Sequence, residues 1–191
     1  LGSTSAKNPD DIRSEYEKDF DRIVFSSSFR RLQDKTQVIP LPVSDFVHTR
    51  LTHSFEVSSV GRALGKIVGS EIIKRNSLPD SITENDISNI VASASLAHDI
   101  GNPPFGHSGE DAIRNYFINL NGKDFKDKIN DDDRWADLIN FEGNANGLRI
   151  LTHDNLNASG EIRLTCSTLA AFIKYPTKAN KNPDDKITKN R

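Results

Sequence analysis

The chain has 191 residues, a formal net charge of −2, 35% hydrophobic residues and a single cysteine. This length suffices for one domain with a core, but the low apolar share leads us to expect part of a longer protein. The near-neutral charge gives no electrostatic reason to expect nucleic acid or an anionic membrane as a partner, one cysteine excludes an internal disulfide framework, and no apolar stretch is long enough for a membrane span. We therefore expect a cytoplasmic protein.

Helical spacing of apolar residues dominates the first quarter of the chain. Asn8 to Asp11 is typical of a helix start, and apolar residues then recur every three to four positions from Ile12 to Leu32. Residues 36–49 contain two prolines and predict an extended connection, with a short β-ribbon near 37–48.

Two further helices are predicted to precede a conspicuous turn. The first covers residues 50–75 and has apolar residues on one side: Val57, Val60, Leu64, Ile67, Val68 and Ile72. Gly61 and Gly65 weaken this helix, which favours close packing against a neighbour there. Thr83 is a suitable N-cap for the second helix, which ends at His98 and Asp99.

The second half of the chain continues the helical pattern. A helix is predicted from Ser108, a polar loop over 121–133, an interrupted helix over 135–151 and a last helix over 161–175, before Pro176. The expected fold class is all-α.

The run from His98 to Glu110 concentrates residues that bind metals or transfer protons. His98 and Asp99 end an apolar helix, and His53 stands near the start of the preceding one. Antiparallel helices can bring such ends together, and two imidazoles with a carboxylate suit a divalent ion. For the His-Asp pair alone, the commoner interpretation is structural: His98 caps the helix and Asp99 starts the turn.

The residues after this pair favour chemistry. Asn102-Pro-Pro-Phe-Gly106 forms a stiff turn that returns His107 toward the same place, and Glu110 follows three residues later on the same helical face. A carboxylate beside a histidine supports a general acid. Arg50 lies three residues before His53, where its guanidinium could reach a phosphate.

These motifs closely resemble those of the HD-domain deoxynucleoside-triphosphate triphosphohydrolases, the bacterial dGTPase family. The resemblance rests on His53, on the run from His98 to Glu110, and on further matching stretches at residues 29–38, 50–54, 141–145 and 174–176. It extends from about residue 13 to 176 and implies an HD-type helical bundle. We expect residues 1–176 to form an incomplete catalytic core and residues 177–191 a polar linker or disordered end.

The resemblance also implies roles for individual residues. The metal ligands would be His53, His98 and Asp99, and the catalytic pair His107 and Glu110. Substrate-binding roles are expected for three more residues: Arg50 toward phosphate, Gln37 toward the deoxyribose 3′-hydroxyl, and Asn102. The stretch 141–145 matches a family signature without an assigned role, and packing around Gly143 explains it equally well.

The match has one gap. The family completes its metal shell with an aspartate on a later helix, and residues 177–191 contain no counterpart. We expect this ligand beyond residue 191, so that residues 1–191 alone would bind metal weakly and be inactive.

The implied reaction is hydrolysis of a dNTP, dGTP first, to a deoxynucleoside and inorganic triphosphate. The implied cofactor is a divalent metal, Mn²⁺ or Mg²⁺ first, with Fe, Co, Ni or Zn as alternatives. A homo-oligomer and a nucleotide effector are further expectations. Two alternatives stay open: an HD-type phosphohydrolase acting on another nucleotide phosphoester, and a non-catalytic nucleotide-sensing module.

Overall fold

The computed structural model describes residues 11–37, 49–153, 162–176 and 179. Within these ranges the chain is all-α, as predicted, with no named strand and nine α-helices: α1 (Glu15–Val24), α2 (Ser27–Arg30), α3 (Arg50–Asn76), α4 (Glu84–Ala97), α5 (His107–Asn119), α6 (Lys126–Ile129), α7 (Asp132–Ile139), α8 (Gly143–Thr152) and α9 (Cys166–Phe172). Two 3₁₀ helices cover Arg31–Asp34 and Asn121–Phe125. The predicted β-ribbon lies mostly outside the described residues. At its edges Thr36 and Thr49 form an isolated antiparallel bridge.

The first predicted helix is divided into three short pieces. α1 begins at Glu15 because Ser14 and Glu17 form a reciprocal capping box; the predicted start at Asn8 to Asp10 lies outside the described residues. α1 ends at Val24, and the Ser26 hydroxyl then bridges the Ile23 carbonyl and the Phe29 amide. The apolar spacing continues across this break, so periodicity alone could not reveal it.

The long helix α3 confirms the predicted span and the close packing predicted at Gly61 and Gly65. Its small residues are buried: Ser54, Ser58, Gly61, Gly65 and Gly69. Five of the six apolar residues predicted to share one side are more than a third exposed: Val60, Leu64, Ile67, Val68 and Ile72. Small residues face α4 because they let the two backbones approach closely. A Cβ added at Gly65 would lie 3.0 Å from Ser88 Cα.

The central helix of the bundle is α4, which packs against α1, α3 and α9. It begins with the predicted Thr83 cap, completed by Asp86. Its buried residues join apolar side chains from both ends of the chain in one core: Ile23, Phe29, Leu32, Leu96, Ile100, Leu151, Leu164, Leu169 and Phe172. This packing holds the C-terminal end of α4 in the interior, where His98 and Asp99 follow.

The second half contains more helix breaks than the sequence pattern indicates. The predicted loop at 121–133 includes a 3₁₀ helix and α6, and the predicted helix over 135–151 is divided at residues 140–142. α9 begins only at Cys166, because the side chain of Thr165 caps the helix there. The same hydroxyl donates a hydrogen bond to the buried carboxylate of Asp19. The expected polar end at 177–191 lies outside the described residues, apart from Ala179. Among the helices described, none has the length and apolar character needed to cross a bilayer.

Candidate metal centre

His53, His98 and Asp99 come together where α3 begins and α4 ends. His53 lies in the first turn of α3, and His98 caps the C-terminus of α4. Their rings meet edge to face with centroids 5.2 Å apart. One potential ligand atom from each of the three residues lies within 4.8 Å of the other two. The antiparallel packing of α3 and α4 therefore places these side chains as the sequence predicts.

The ring of His98 is held by a backbone carbonyl. Its Nδ1 lies 2.7 Å from the Ser95 carbonyl oxygen, so Nδ1 carries the proton and donates it to that oxygen. The lone pair of the neutral ring is then on Nε2, which lies 3.6 Å from Asp99 Oδ1. A backbone carbonyl that fixes the ring in this way is the usual outer partner of a metal-bound histidine.

Asp99 is 3% exposed and accepts hydrogen bonds from three side chains. Arg50 Nη1 and Asn102 Nδ2 each lie 2.7 Å from Oδ1, and Gln37 Nε2 lies 3.1 Å from Oδ2. The three residues predicted to bind substrate thus surround the carboxylate here. Their contacts orient Asp99, and their roles toward a substrate stay predictions.

The donor set fits a divalent cation. Metal–ligand distances of about 2.1 Å put two ligand atoms of one ion roughly 3 to 4 Å apart. Here the ligand atoms of His53, His98 and Asp99 lie within 4.8 Å of one another, so small side-chain rotations bring them to that spacing. One carboxylate and two neutral imidazoles accommodate Mn, Fe, Co, Ni or Zn without selecting sharply among them. Only these three residues form such a group within the described ranges, and the predicted fourth ligand stays a prediction.

His107 and Glu110 do not form the hydrogen-bonded pair that their spacing predicts. His107 is exposed at the first position of α5, whereas Glu110 is buried. Glu110 Oε1 accepts the Gly143 amide at 2.8 Å, and Oε2 pairs with Arg114 Nη2 at 3.1 Å. Because both oxygens are engaged in this way, Glu110 connects α5 to the start of α8. The expected support of His107 by Glu110 has no hydrogen bond in the described part of the chain.

The turn that leads to His107 has an unusual backbone and tight packing. Gly101, Phe105 and Gly106 have φ values of 101°, 66° and 55°, which are unfavourable for residues with a side chain. A Cβ on Gly101 would lie 2.2 Å from the Gly147 nitrogen. Part of the signature at 141–145 thereby gains a structural role, since Gly143 lies against Asn102 and Glu110.

Lys35 was not predicted as a site residue, although it lies within the matching stretch 29–38. Its Nζ donates to the Asn102 carbonyl at 2.9 Å. Burial and the nearby guanidinium groups of Arg50 and Arg31 lower the pKa of Lys35, and Asp99 opposes this effect. The site therefore combines one buried carboxylate with three neighbouring cationic side chains, an arrangement that suits an anionic ligand.

Comparisons with known proteins agree with this description. The HD domain family model matches residues 50–142. Proteins called deoxyguanosinetriphosphate triphosphohydrolase-like are 51% identical in Pseudomonas aeruginosa, 50% in Synechocystis sp. and 47% in Listeria monocytogenes, over 92–94% of this chain. The chain spans only 39–41% of the length of these relatives. Residues 50–142 therefore carry an HD domain, and the chain is similar over nearly its whole length to deoxyguanosinetriphosphate triphosphohydrolase-like proteins.

Proposed function

We propose that this chain is the metal-binding part of a dNTP triphosphohydrolase, which hydrolyses dGTP or a related dNTP to a deoxynucleoside and inorganic triphosphate. The observation that carries the proposal is the convergence of His53, His98 and Asp99 within 4.8 Å at the ends of two packed helices. The HD domain match and the names of the relatives support a phosphohydrolase, and those names suggest the substrate class.

The electrostatics of the site support a polyphosphate substrate. Lys35 lies near two guanidinium groups, those of Arg31 and Arg50, and near the single carboxylate Asp99. Cationic groups held together in a partly buried place repel each other, and a polyanion relieves that repulsion. We propose that Arg50 and Lys35 face the phosphate groups, while Gln37 and Asn102 bind other parts of the nucleotide.

The chemistry assigns a proton transfer to His107. Cleavage of the bond between the α-phosphorus and the 5′-oxygen leaves an alkoxide, a strong base that needs a proton as the bond breaks. His107 is exposed at the start of α5, where a substrate can reach it, and we propose that it donates this proton. A divalent ion, when bound, would polarise the phosphate and lower the pKa of an attacking water.

Product analysis of the full-length protein tests the proposal. The protein is incubated with each dNTP and either Mn²⁺ or Mg²⁺, and the products are separated by ion-exchange chromatography. Inorganic triphosphate with the free deoxynucleoside is the expected pair. Orthophosphate or pyrophosphate would instead indicate an HD-type hydrolase of another phosphoester, and binding without turnover would indicate a nucleotide-sensing module.

Four further properties belong to the same proposal. The full-length protein would be cytoplasmic, form a homo-oligomer, respond to a nucleotide effector and supply a fourth metal ligand from outside residues 1–191. Analytical ultracentrifugation with and without dNTPs measures the oligomeric state and its dependence on an effector. Mn²⁺ titration of the full-length protein and of residues 1–191 compares their affinities, and we expect weaker binding and no turnover in the shorter chain.

A further inference from the structure

Three consecutive carbonyl groups of the turn after Asp99 are held by side chains from three separate parts of the chain. The Gly101 oxygen accepts Asn146 Nδ2 at 3.0 Å, from α8. The Asn102 oxygen accepts Lys35 Nζ at 2.9 Å, and the Pro103 oxygen accepts Arg50 Nη2 at 3.3 Å. We infer that Lys35 and Asn146 are positioning residues, which fix this turn and thereby the direction of the Asp99 carboxylate.

The turn needs such support because its own backbone provides little. Gly101 and Gly106 both have positive φ, and glycine loses more conformational entropy on ordering than any other residue. Within the turn, the Asn102 amide donates to the Asp99 carbonyl at 3.2 Å. Side-chain donors on the Gly101, Asn102 and Pro103 carbonyls replace the regular hydrogen bonds that end with α4.

The turn controls the metal ligand through Asn102. Its side chain donates to Asp99 Oδ1 at 2.7 Å, while its backbone carbonyl is held by Lys35. A shift of the Asn102 backbone therefore moves the hydrogen bond that sets the orientation of the carboxylate. Partners that orient a ligand in this way typically change metal affinity about 10- to 100-fold when they are removed.

Lys35 also connects the turn to the other ligand-bearing helix. Its backbone carbonyl accepts the Arg50 amide at 3.0 Å, at the first residue of α3. One residue thus contacts the start of α3, which carries His53, and the turn that carries Asp99. From the opposite side, Asn146 links the turn to α8, whose Gly147 lies directly against it.

The inference rests on the metal part of the proposed function, and Mn²⁺ binding tests the two separately. Asn146→Ala and Lys35→Met remove one donor each, and Mn²⁺ affinity is measured by calorimetry with the full-length protein. We expect Kd to rise about tenfold in each variant. For Lys35→Met the direction of the change in Kd separates a positioning role from a charge effect, because loss of a nearby positive charge would by itself strengthen cation binding.

Asn76→Ala is the matched control. Asn76 Nδ2 donates to the Ile72 carbonyl at 2.9 Å near the far end of α3, so the variant loses the same type of bond away from the site. It should keep the parental Kd. Lys35→Arg retains a cationic donor and should lie closer to the parent than Lys35→Met does.

Hydrogen exchange of the peptide covering residues 98–106 provides a second readout that needs neither metal nor turnover. Faster exchange in this peptide is expected for Asn146→Ala and Lys35→Met only. A Kd within twofold of the parent, or unchanged exchange, overturns the assignment for that residue. If Asn146→Ala does not fold, Lys35→Met still tests the inference, because Lys35 is partly exposed and its replacement leaves the core intact. A parent protein that binds no Mn²⁺ refutes the proposed metal site and this inference with it, whereas a binding parent without turnover refutes only the proposed reaction.

Discussion

The buried ion pair between Arg50 and Asp99 allows a prediction that links stability to metal binding. The two side chains are 4% and 5% exposed, and Nη1 lies 2.7 Å from Oδ1. Arg50→Met keeps most of the side-chain volume and removes the charge. Asp99 then loses its cationic partner but keeps the Gln37 and Asn102 amides as donors.

The expected loss of stability follows from this geometry. Removing one partner of a buried ion pair costs about 3–5 kcal/mol. Because two neutral donors remain on Asp99, we expect Arg50→Met to lower the free energy of unfolding by about 3 kcal/mol in the presence of EDTA. Saturating Mn²⁺ should recover at least about 1 kcal/mol more in the variant than in the parent. Unlike Lys35, Arg50 contacts Asp99 directly at 2.7 Å, so the loss of its repulsion on an ion there outweighs the loss of its weaker 3.3 Å bond to the Pro103 carbonyl.

Urea unfolding with EDTA or with excess Mn²⁺, followed by circular dichroism, measures both quantities. Arg22→Met serves as the control, because Arg22 pairs with the buried Asp19 at 2.8 Å, and Asp19 keeps two donors from Thr165. Arg22→Met should destabilise the protein equally with and without Mn²⁺. A loss below about 1 kcal/mol in EDTA for Arg50→Met, or equal Mn²⁺ stabilisation of variant and parent, would refute the reasoning.

Three further predictions concern His107, the turn after Asp99, and the ion pair between Asp11 and Arg13. His107→Ala should reduce turnover at least about 100-fold with an unchanged Mn²⁺ stoichiometry; loss of metal would instead place His107 among the ligands. Gly101→Ala should cost about 2–5 kcal/mol in urea unfolding, from its φ of 101° and its contact with the Gly147 backbone. At Gly106, with φ of 55°, an added Cβ would meet no atom closer than 3.7 Å. Gly106→Ala should therefore lose only the stability that the positive φ costs an alanine, and a loss equal to that of Gly101→Ala would contradict the steric argument. The hydrogen bonds from Arg13 hold the pKa of Asp11 below its ordinary value of 3.8, so its stabilising contribution is present above that value and is lost as the folded state takes up a proton. Asp11→Asn should therefore lower Tm at pH 7, by an amount that shrinks as the pH falls from about 5 towards 2; a constant difference would exclude the ion pair.

The sequence predicted the long helices and the three metal-type residues because these depend on local signals. Thr83 marks the start of α4, and the glycine and proline turn after Asp99 marks its end. His53 could be paired with His98 because antiparallel helices bring such ends together.

Hydrophobic periodicity could not show which face of α3 is buried, because small residues make the contact with α4, whereas Gly61 and Gly65 did predict close packing there. The partners of the turn were also hidden. Lys35 and Asn146 lie 67 and 45 residues from the carbonyls that they contact, and no local pattern reports a hydrogen bond over such a separation. For the same reason the sequence paired Glu110 with nearby His107, whereas Glu110 is bound by Gly143.

The contact between α3 and α4 also determines the spacing of the two histidine rings. Gly61 lies against Ser95, and a Cβ at this glycine would be 2.6 Å from the serine hydroxyl. Ser95 also accepts the His98 ring proton through its carbonyl, and His53 lies on the same helix as Gly61. The interaxial distance of the two helices therefore sets the gap between the two imidazoles, and a larger residue at Gly61 would move His53 away from His98.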